Sequence, residues 1–195
     1  LFGVLIAIFV GTSLVYKEID KRTLYTIISQ PMYRYEFILG KYLGLMGLLA
    51  VVVLVMTGTA AAYVLLLGGA LEGVYFLAVL LIFSKLLLIT AFAILMSSLS
   101  SPILGAIIVF SAYVFGHATA VFRQLPPQFD GTMAKRILEI AYYIIPNLSN
   151  FDIRAEAANG VPVAGAYIGY VLVYGLAYTV VLLILACVIF EEKDV

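Results

Sequence analysis

A run of 30 residues without any Asp, Glu, Lys or Arg, from Tyr42 to Leu71, limits what this chain can fold into. About 20 apolar residues in a helix cross the hydrocarbon core of a bilayer, and this run is longer than that. The whole chain is 65% hydrophobic and 11% charged, whereas an ordinary soluble domain is about a quarter charged. The sequence therefore predicts an all-α polytopic membrane protein.

The hydrophobic runs predict five membrane-spanning helices in one transmembrane domain that covers residues 1–195. These helices are expected at about 1–16, 42–68, 74–99, 103–122 and 164–190. The chain opens inside a hydrophobic segment that lacks the basic leader and the small-residue cleavage site of a signal peptide. We therefore expect the N-terminus to be incomplete, with at least one further span upstream.

A charged segment at residues 17–41 lies between the first two predicted spans and holds 8 of the chain's 22 Asp, Glu, Lys and Arg residues. Its first part has the period of an amphipathic helix, with Glu18 and Arg22 on the polar face. The opposite face carries Ile19, Thr23, Leu24, Ile27 and Ile28. Pro31 ends this helix, and Arg34 then begins a basic approach to the next apolar run. Such a segment lies at a bilayer surface and presents a charged face to water.

A second polar segment, residues 123–163, contains four prolines and charges of both signs. The pattern AKRILEIAYYII within it predicts an interfacial helix that lies on the membrane or dips into it. Asp152, Arg154 and Glu156 follow and alternate in charge. Local ion pairs or helix caps are the first interpretation of these residues, and a role in an outer gate or in contact with a partner protein is the second.

The Lys and Arg residues near the predicted spans indicate the sidedness of the chain. Alternation through five helices assigns Lys17, Lys21, Arg22, Arg34, Lys41 and Lys193 to one side. It assigns Arg123, Lys135, Arg136 and Arg154 to the other. Cytoplasmic loops carry the excess of such cations. The sequence thus predicts a cytoplasmic charged segment at 17–41 and an extracytoplasmic segment at 123–163.

Two polar residues inside the predicted spans are candidates for function. Lys85 lies about eleven residues from either end of the third span, roughly 16 Å at 1.5 Å per residue. A charge at that depth is a functional-site hypothesis: an ion pair, a contact with a second copy, or a site for an anionic headgroup. The alternative is that Lys85 lies near an interface or faces a wet cleft. His117, the single histidine, is interpreted as a hydrogen-bonded structural residue rather than a metal ligand.

Several motifs, taken in order, resemble those of type-2 ABC transporter permeases. The first cytoplasmic loop of that family carries a Glu, an Arg-Thr or Gly-Thr pair, a Pro, an Arg and a Gly-Lys pair. The matching residues here are Glu18, Arg22, Thr23, Pro31, Arg34, Gly40 and Lys41. Three further stretches are similar to one bacterial branch of the family: AYYIIPNLSNFDIRAEAANG, the pair Gly116–His117, and the tail FEEKDV.

The resemblance implies a transport subunit that is not itself an enzyme. The chain has no G-x-x-x-x-G-K-[ST] phosphate loop, so the ATP would be bound by a separate cytoplasmic ATPase subunit. The family places its coupling helix at residues 17–30, with Glu18, Arg22, Thr23, Pro31 and Arg34 as the contact residues. It also implies two permease copies, export as the direction, and the cytoplasmic membrane of a bacterium or archaeon.

Other partners and other functions follow from the same sequence. Membrane lipid and an accessory extracytoplasmic protein are expected partners, whereas nucleic acid, a cofactor and a metal are not. The alternative functions are an integral-membrane enzyme acting on lipids and a secondary transporter. The first would need paired carboxylates or a His/Asp cluster at one membrane face. The second would need paired intramembrane charges or two related halves with interrupted helices. The substrate is not readable from the sequence.

Overall fold

The computed structural model describes residues 1–16, 34–122 and 145–192, and every regular element within these ranges is helical. The helices are α1 (Phe2–Leu14), α2 (Arg34–Leu66), α3 (Gly73–Leu99), α4 (Pro102–Phe122), α5 (Arg154–Asn159) and α6 (Gly165–Glu192). A 3-10 helix at Leu148–Phe151 precedes α5. The all-α prediction is confirmed over this part of the chain.

Three of these helices, α2, α3 and α6, are long and apolar enough to cross a membrane. Two shorter apolar helices accompany them, Phe2–Leu14 and the Pro102–Ala118 part of α4. Lipid offers no hydrogen-bond partners to the backbone, so an apolar segment in a bilayer must satisfy its own N–H and C=O groups, as a helix does. The count of five spans remains a prediction.

Helix α2 begins earlier than the sequence indicated, at Arg34 rather than near residue 42. Packing explains the extra turns, because Ile38 is fully buried and the Phe37 ring stacks on Phe190 of α6 at 5.6 Å between ring centroids. The charged segment predicted at 17–41 is therefore helical in continuity with α2 over its last eight residues. The predicted coupling helix at 17–30 lies outside the described residues.

The other end of α2 is closed by a glycine in the left-handed region. Gly68 has φ of +76°, a conformation that costs glycine little. Its N–H donates to the Leu65 carbonyl, and the Gly69 N–H donates to the Val64 carbonyl. This pair of hydrogen bonds is the Schellman motif, and it turns the chain sharply from α2 into α3.

Helix α3 is the central helix of the bundle. It packs against α1, α2, α4, α6 and the segment that contains the 3-10 helix and α5. In its most apolar stretch 61% of the residues are buried, compared with 11% in α2 and 17% in α6. Most of the buried polar side chains also belong to α3: Ser84, Lys85, Thr90, Ser97 and Ser98. Any group that must be held inside this bundle is therefore held mainly by α3.

The contacts at the helix ends show which end of the bundle each connecting segment occupies. The C-terminus of α1 meets the C-terminal part of α3, where the Val15 N–H bonds to Ser97, and the N-terminus of α2 meets the C-terminus of α6. Residues 145–163, which we call the outer segment, lie toward the opposite end, where Tyr167 at the start of α6 donates to the Asn150 carbonyl. The predicted cytoplasmic and outer connections thus lie at opposite ends of the bundle.

Candidate functional site

Lys85 is the charged residue that lies deepest in the described part of the bundle. It is the thirteenth residue of the 27-residue helix α3, about 18 Å along the axis from Gly73. Its side chain is only 6% exposed. The structure thus places Lys85 in the interior of the bundle, and the intramembrane function of Lys85 stays a prediction.

The hydrogen bonds around Lys85 define the protonation of His117. The Nδ1 atom of His117 is 3.0 Å from the Tyr113 carbonyl oxygen, which can only accept, so Nδ1 carries the proton. The Nε2 atom of the neutral imidazole is then the acceptor for the Lys85 ammonium, with Nζ and Nε2 3.4 Å apart. His117 therefore acts as an acceptor for Lys85 and a donor to its own helix, in keeping with the hydrogen-bonded structural residue that the sequence indicated.

The 3-10 helix of the outer segment packs its apolar side chains between the long helices. Leu148 and Phe151 are buried at 2% and 0% exposure. Phe151 fits against α6 where Gly175 has no side chain, since a Cβ there would lie 2.9 Å from the Phe151 ring and 3.0 Å from the Ser84 hydroxyl. Gly175 lies ten residues into α6, about 15 Å along its axis. The 3-10 helix is thus packed against α6 and α3, and the predicted interfacial helix AKRILEIAYYII lies almost wholly outside the described residues.

This insertion brings an ion pair to the neighbourhood of Lys85. Arg154 donates from Nε and Nη2 to the two carboxylate oxygens of Asp152, at 2.6 and 2.5 Å. These bidentate hydrogen bonds lower the pKa of Asp152 to about 2, and the positive charge of Lys85 acts in the same direction. The same contact raises the pKa of Arg154. The local ion pair expected in this region is present, and it faces the buried lysine.

The Asp152–Arg154 pair makes a small pH-dependent contribution to stability. A lowered carboxyl pKa stabilises the folded state above the ordinary value of 3.8, and this contribution is lost as the pH falls from about 4 to about 2. The Arg154 side chain is 64% exposed, so we expect the pair to contribute only about 0.2–1 kcal/mol. The melting temperature of Asp152→Asn should lie slightly below that of wild type at pH 7, and the two should converge near pH 2.

Arg154→Lys is the matched variant for this measurement. It keeps the cation but cannot make the two parallel hydrogen bonds, so the pKa of Asp152 should be lowered less. The pH range in which Arg154→Lys loses its stability advantage over Asp152→Asn should therefore move upward toward 4. A difference between wild type and Asp152→Asn that persists unchanged at pH 2 would contradict the assignment.

Two adjoining cavities open beside this cluster. The inner cavity, of about 210 Å³, is lined by Thr57, Lys85, Tyr113 and Arg154 together with apolar residues at positions 1–4 and on α2 and α3. The cleft next to it, of about 670 Å³, lies between the outer halves of α2 and α3 and is covered by α5. Met56, Thr57, Ile82 and Arg154 line both. Groups of three His, Cys, Asp or Glu side chains suited to a metal do not occur among the described residues.

A second polar contact links α3 to the start of the predicted coupling segment. The Ser97 hydroxyl oxygen accepts from the N–H groups of Val15 and Tyr16, both at 3.1 Å. Ser97 and Val15 are buried, and residue 16 is the last described residue before the charged segment. A side chain of the central helix therefore holds the C-terminal end of α1.

The predicted site residues are only partly described by the structure. Lys85 and Arg154 line the inner cavity and Asp152 is paired with Arg154, although the sequence analysis treated Lys85 and the Asp152–Arg154 pair as separate features. Tyr113 and His117 join them, and the signal for that pairing was their i, i+4 spacing on α4. The coupling residues Glu18, Arg22, Thr23 and Pro31 lie outside the described residues, and Arg34 is described only as the first residue of α2.

One comparison with known proteins gives a family. A family model described as ABC-2 family transporter protein matches residues 1–195, which is the whole chain. Curated proteins and solved structures gave no match. The family match agrees with the all-helical bundle, its three long apolar helices and the motifs of the charged segment. The chain belongs to the ABC-2 family of transporter proteins and is a membrane permease of the ABC transporter class.

Proposed function

We propose that this chain is the membrane subunit of an ATP-driven exporter in the cytoplasmic membrane of a bacterium or archaeon. A separate cytoplasmic subunit binds and hydrolyses ATP, and two copies of the permease share the translocation path. The ABC-2 family match over residues 1–195 is the observation that carries this proposal. Neither a lipid-modifying enzyme nor a secondary transporter is favoured by that match.

The described structure supports a mechanical role for the charged segment between α1 and α2. Its N-terminal side is attached to α3 by the bonds from Val15 and Tyr16 to Ser97. Its C-terminal side is attached to α6 by the stacking of Phe37 on Phe190. A push on the residues in between would therefore act on α3 and α6 together, and α3 and α6 form the most extensive helix contact of the bundle.

In this proposal the residues fall into two functional groups. Glu18, Arg22, Thr23, Pro31 and Arg34 contact the ATPase subunit at the cytoplasmic end. The pair Asp152–Arg154 belongs to an outer gate, with Lys85 beneath it as the intramembrane charge. Helix α3 connects the two groups. Ser97 lies near the cytoplasmic group and Lys85 belongs to the outer group, and they are twelve residues apart on that helix, about 18 Å.

Co-purification tests the coupling helix directly. The full-length protein is expressed with its genomic neighbours, purified in mild detergent through a tag on the permease, and assayed for a bound ATPase subunit and for ATP hydrolysis. Reversing a charge at a docking contact places like charges together and weakens the contact. We expect Glu18→Lys to reduce the amount of bound ATPase about tenfold or more, equivalent to about 1.4 kcal/mol or more.

Glu72→Lys is the control, because it reverses the same charge at an exposed residue just before α3, on the predicted outer side. This variant should retain the ATPase subunit at the wild-type level. The coupling assignment fails if Glu72→Lys loses the subunit as completely as Glu18→Lys. The whole proposal fails if wild type captures no nucleotide-binding subunit in any of several detergents.

A further inference from the structure

We propose that the 3-10 helix Leu148–Phe151, which we call the wedge, is the moving part of the outer gate. In the structure the wedge lies between α4 and α6, and we expect it to leave this position when the transporter opens to the outer side. The inference rests on the proposed ATP-driven export and adds to it the element that moves. Its support comes from the helix surfaces that receive the wedge, the attachment of α4, and the bonds that hold the wedge.

Two glycines form the surfaces that receive the wedge. A Cβ at Gly116 of α4 would lie 2.8 Å from Cγ of Leu148, and a Cβ at Gly175 of α6 would lie 2.9 Å from the Phe151 ring. Residues three apart in a 3-10 helix lie on the same edge, so Leu148 and Phe151 form one apolar ridge. The ridge contacts α4 with its first side chain and α6 with its second, and it thereby joins the two helices.

The wedge helps to hold the outer half of α4 to the bundle. The inner half packs on α1 and α3, since a Cβ at Gly105 would lie 3.4 Å from the Thr12 side chain and 3.5 Å from that of Met96. The main packing partners of α4 within the described ranges are α1, α3 and the wedge, and α6 is not among them. The outer half is also joined to α3 by the hydrogen bond of 3.4 Å between His117 and Lys85. Withdrawal of the wedge would therefore let the outer half of α4 swing relative to α6 while its inner half stays in place.

The wedge is held by hydrogen bonds that can be released without unfolding it. The Asn147 N–H donates to the Tyr174 hydroxyl at 2.9 Å, and the Tyr167 hydroxyl donates to the Asn150 carbonyl at 3.0 Å. Water can replace a tyrosine hydroxyl in either bond at little cost. The wedge also has its own cap, because the Asn147 side chain accepts from the Ser149 N–H. It can therefore move as a unit.

A hinge for this movement lies between α5 and α6. Gly160 has φ of +65°, a conformation that costs glycine little, and residues 160–164 form no helix. None of the α5 residues is buried, so α5 can travel with the wedge. Asp152 and Arg154 directly follow the wedge in the chain. The charged pair assigned to the outer gate would thus move together with the element that fills the space between α4 and α6.

A reversible cross-link tests whether the wedge must move. A Cβ at position 116 is 2.8 Å from Cγ of Leu148, so the Cβ atoms of Gly116→Cys and Leu148→Cys are at most one bond further apart. This is within reach of a disulfide, whose Cβ atoms are about 3.5–4.5 Å apart. The full-length permease with Cys187→Ser is reconstituted in liposomes with its ATPase subunit. We expect oxidation to leave that subunit bound and to lower ATP hydrolysis about tenfold or more, and reduction to restore it.

A cross-link at the inner end of α4 is the control. Ser100→Cys and Gly105→Cys join the end of α3 to the start of α4, where a Cβ at position 105 would lie 3.2 Å from the Ser100 hydroxyl. Oxidation of this pair should leave ATP hydrolysis at the wild-type rate. Undiminished hydrolysis after oxidation of the 116–148 pair would show that the wedge is a fixed strut and would overturn the inference alone. A wild-type permease that binds no ATPase subunit would instead refute the proposed function, and this inference with it.

A distance measurement follows the wedge without altering its contacts. Spin labels are attached at Ala155 of α5 and Phe76 of α3, which are both exposed. We expect the distance between them to change by about 5 Å or more, the size of a one-turn shift, between the nucleotide-free and the vanadate-trapped complex. An unchanged distance overturns the inference even where the cross-linked variant fails to assemble.

Discussion

Replacing Phe151 by alanine is expected to lower the free energy of unfolding by about 3–5 kcal/mol, the usual cost of removing a large buried aromatic ring. Phe151 is 0% exposed, and its ring fills the space that Gly175 leaves open on α6. It also lies near Tyr174, at 6.3 Å between ring centroids. The loss is measured by unfolding the purified protein with sodium dodecyl sulfate in mixed micelles.

The same substitution at Phe76 is the control. Phe76 belongs to α3 but is 61% exposed, so its truncation should change stability by less than about 1 kcal/mol. A size exchange adds a second test, because Gly175→Leu should collide with the Phe151 ring and be partly rescued by Phe151→Ala in the same chain. Equal losses for Phe151→Ala and Phe76→Ala, or no rescue in the double variant, would contradict the insertion of the outer segment.

Hydrophobic runs were sufficient to predict the helices but not their arrangement. The mean hydropathy of the most apolar stretch is 2.3 in α2 and 2.6 in both α3 and α6, although only α3 is central. Lipid tails are as apolar as a protein interior, so hydropathy does not distinguish a helix that faces lipid from one that faces other helices. The buried Ser84, Lys85, Ser97 and Ser98 of α3 are the sequence signal that does.

The sequence was sufficient to identify the individual residues of the candidate site, but it did not predict that they lie close together. Lys85 stood out because a lysine so far from either end of an apolar run is costly, and Asp152 and Arg154 stood out by their alternating charges. Their proximity depends on the insertion of the outer segment beside Gly175. The apolar residues that drive this insertion, Leu148 and Phe151, have the i, i+3 spacing that also fits a helix lying on a membrane surface. The local sequence pattern therefore does not distinguish a segment packed into the bundle from one lying on a membrane surface.

The start of α2 differs from the sequence prediction because tertiary packing extends the helix into a charged stretch. The sequence analysis predicted that the polar segment extends to Lys41, because charged residues suggest a membrane interface. In the structure, helix α2 already begins at Arg34. Phe37 and Ile38 provide the reason, since both pack against other parts of the bundle. Such tertiary contacts join residues far apart in sequence, and a window of local hydropathy does not contain them.

Ser97 gives the remaining prediction with a large effect, because one hydroxyl serves two backbone groups. Its oxygen accepts from the N–H groups of Val15 and Tyr16 at a site where Ser97 is 1% exposed. Alanine at this position removes both hydrogen bonds and leaves no other described side chain in their place. We expect Ser97→Ala to lower the free energy of unfolding by about 1–3 kcal/mol, measured in the same mixed micelles.

Ser98 provides a closely matched control for Ser97, because it is the next residue of α3 and is equally buried. Its hydroxyl bonds only to the Ile94 carbonyl of its own helix, at 3.3 Å, a local contact that contributes little to stability. Ser98→Ala should therefore cost less than about 1 kcal/mol. If the proposed coupling is correct, Ser97→Ala should also retain the ATPase subunit, because the contact at Glu18 is intact. The same variant should lower transport-linked ATP hydrolysis, because the end of α1 is no longer hydrogen-bonded to α3. Equal effects of the two serine variants on stability would show that the bonds to Val15 and Tyr16 do not hold the end of α1.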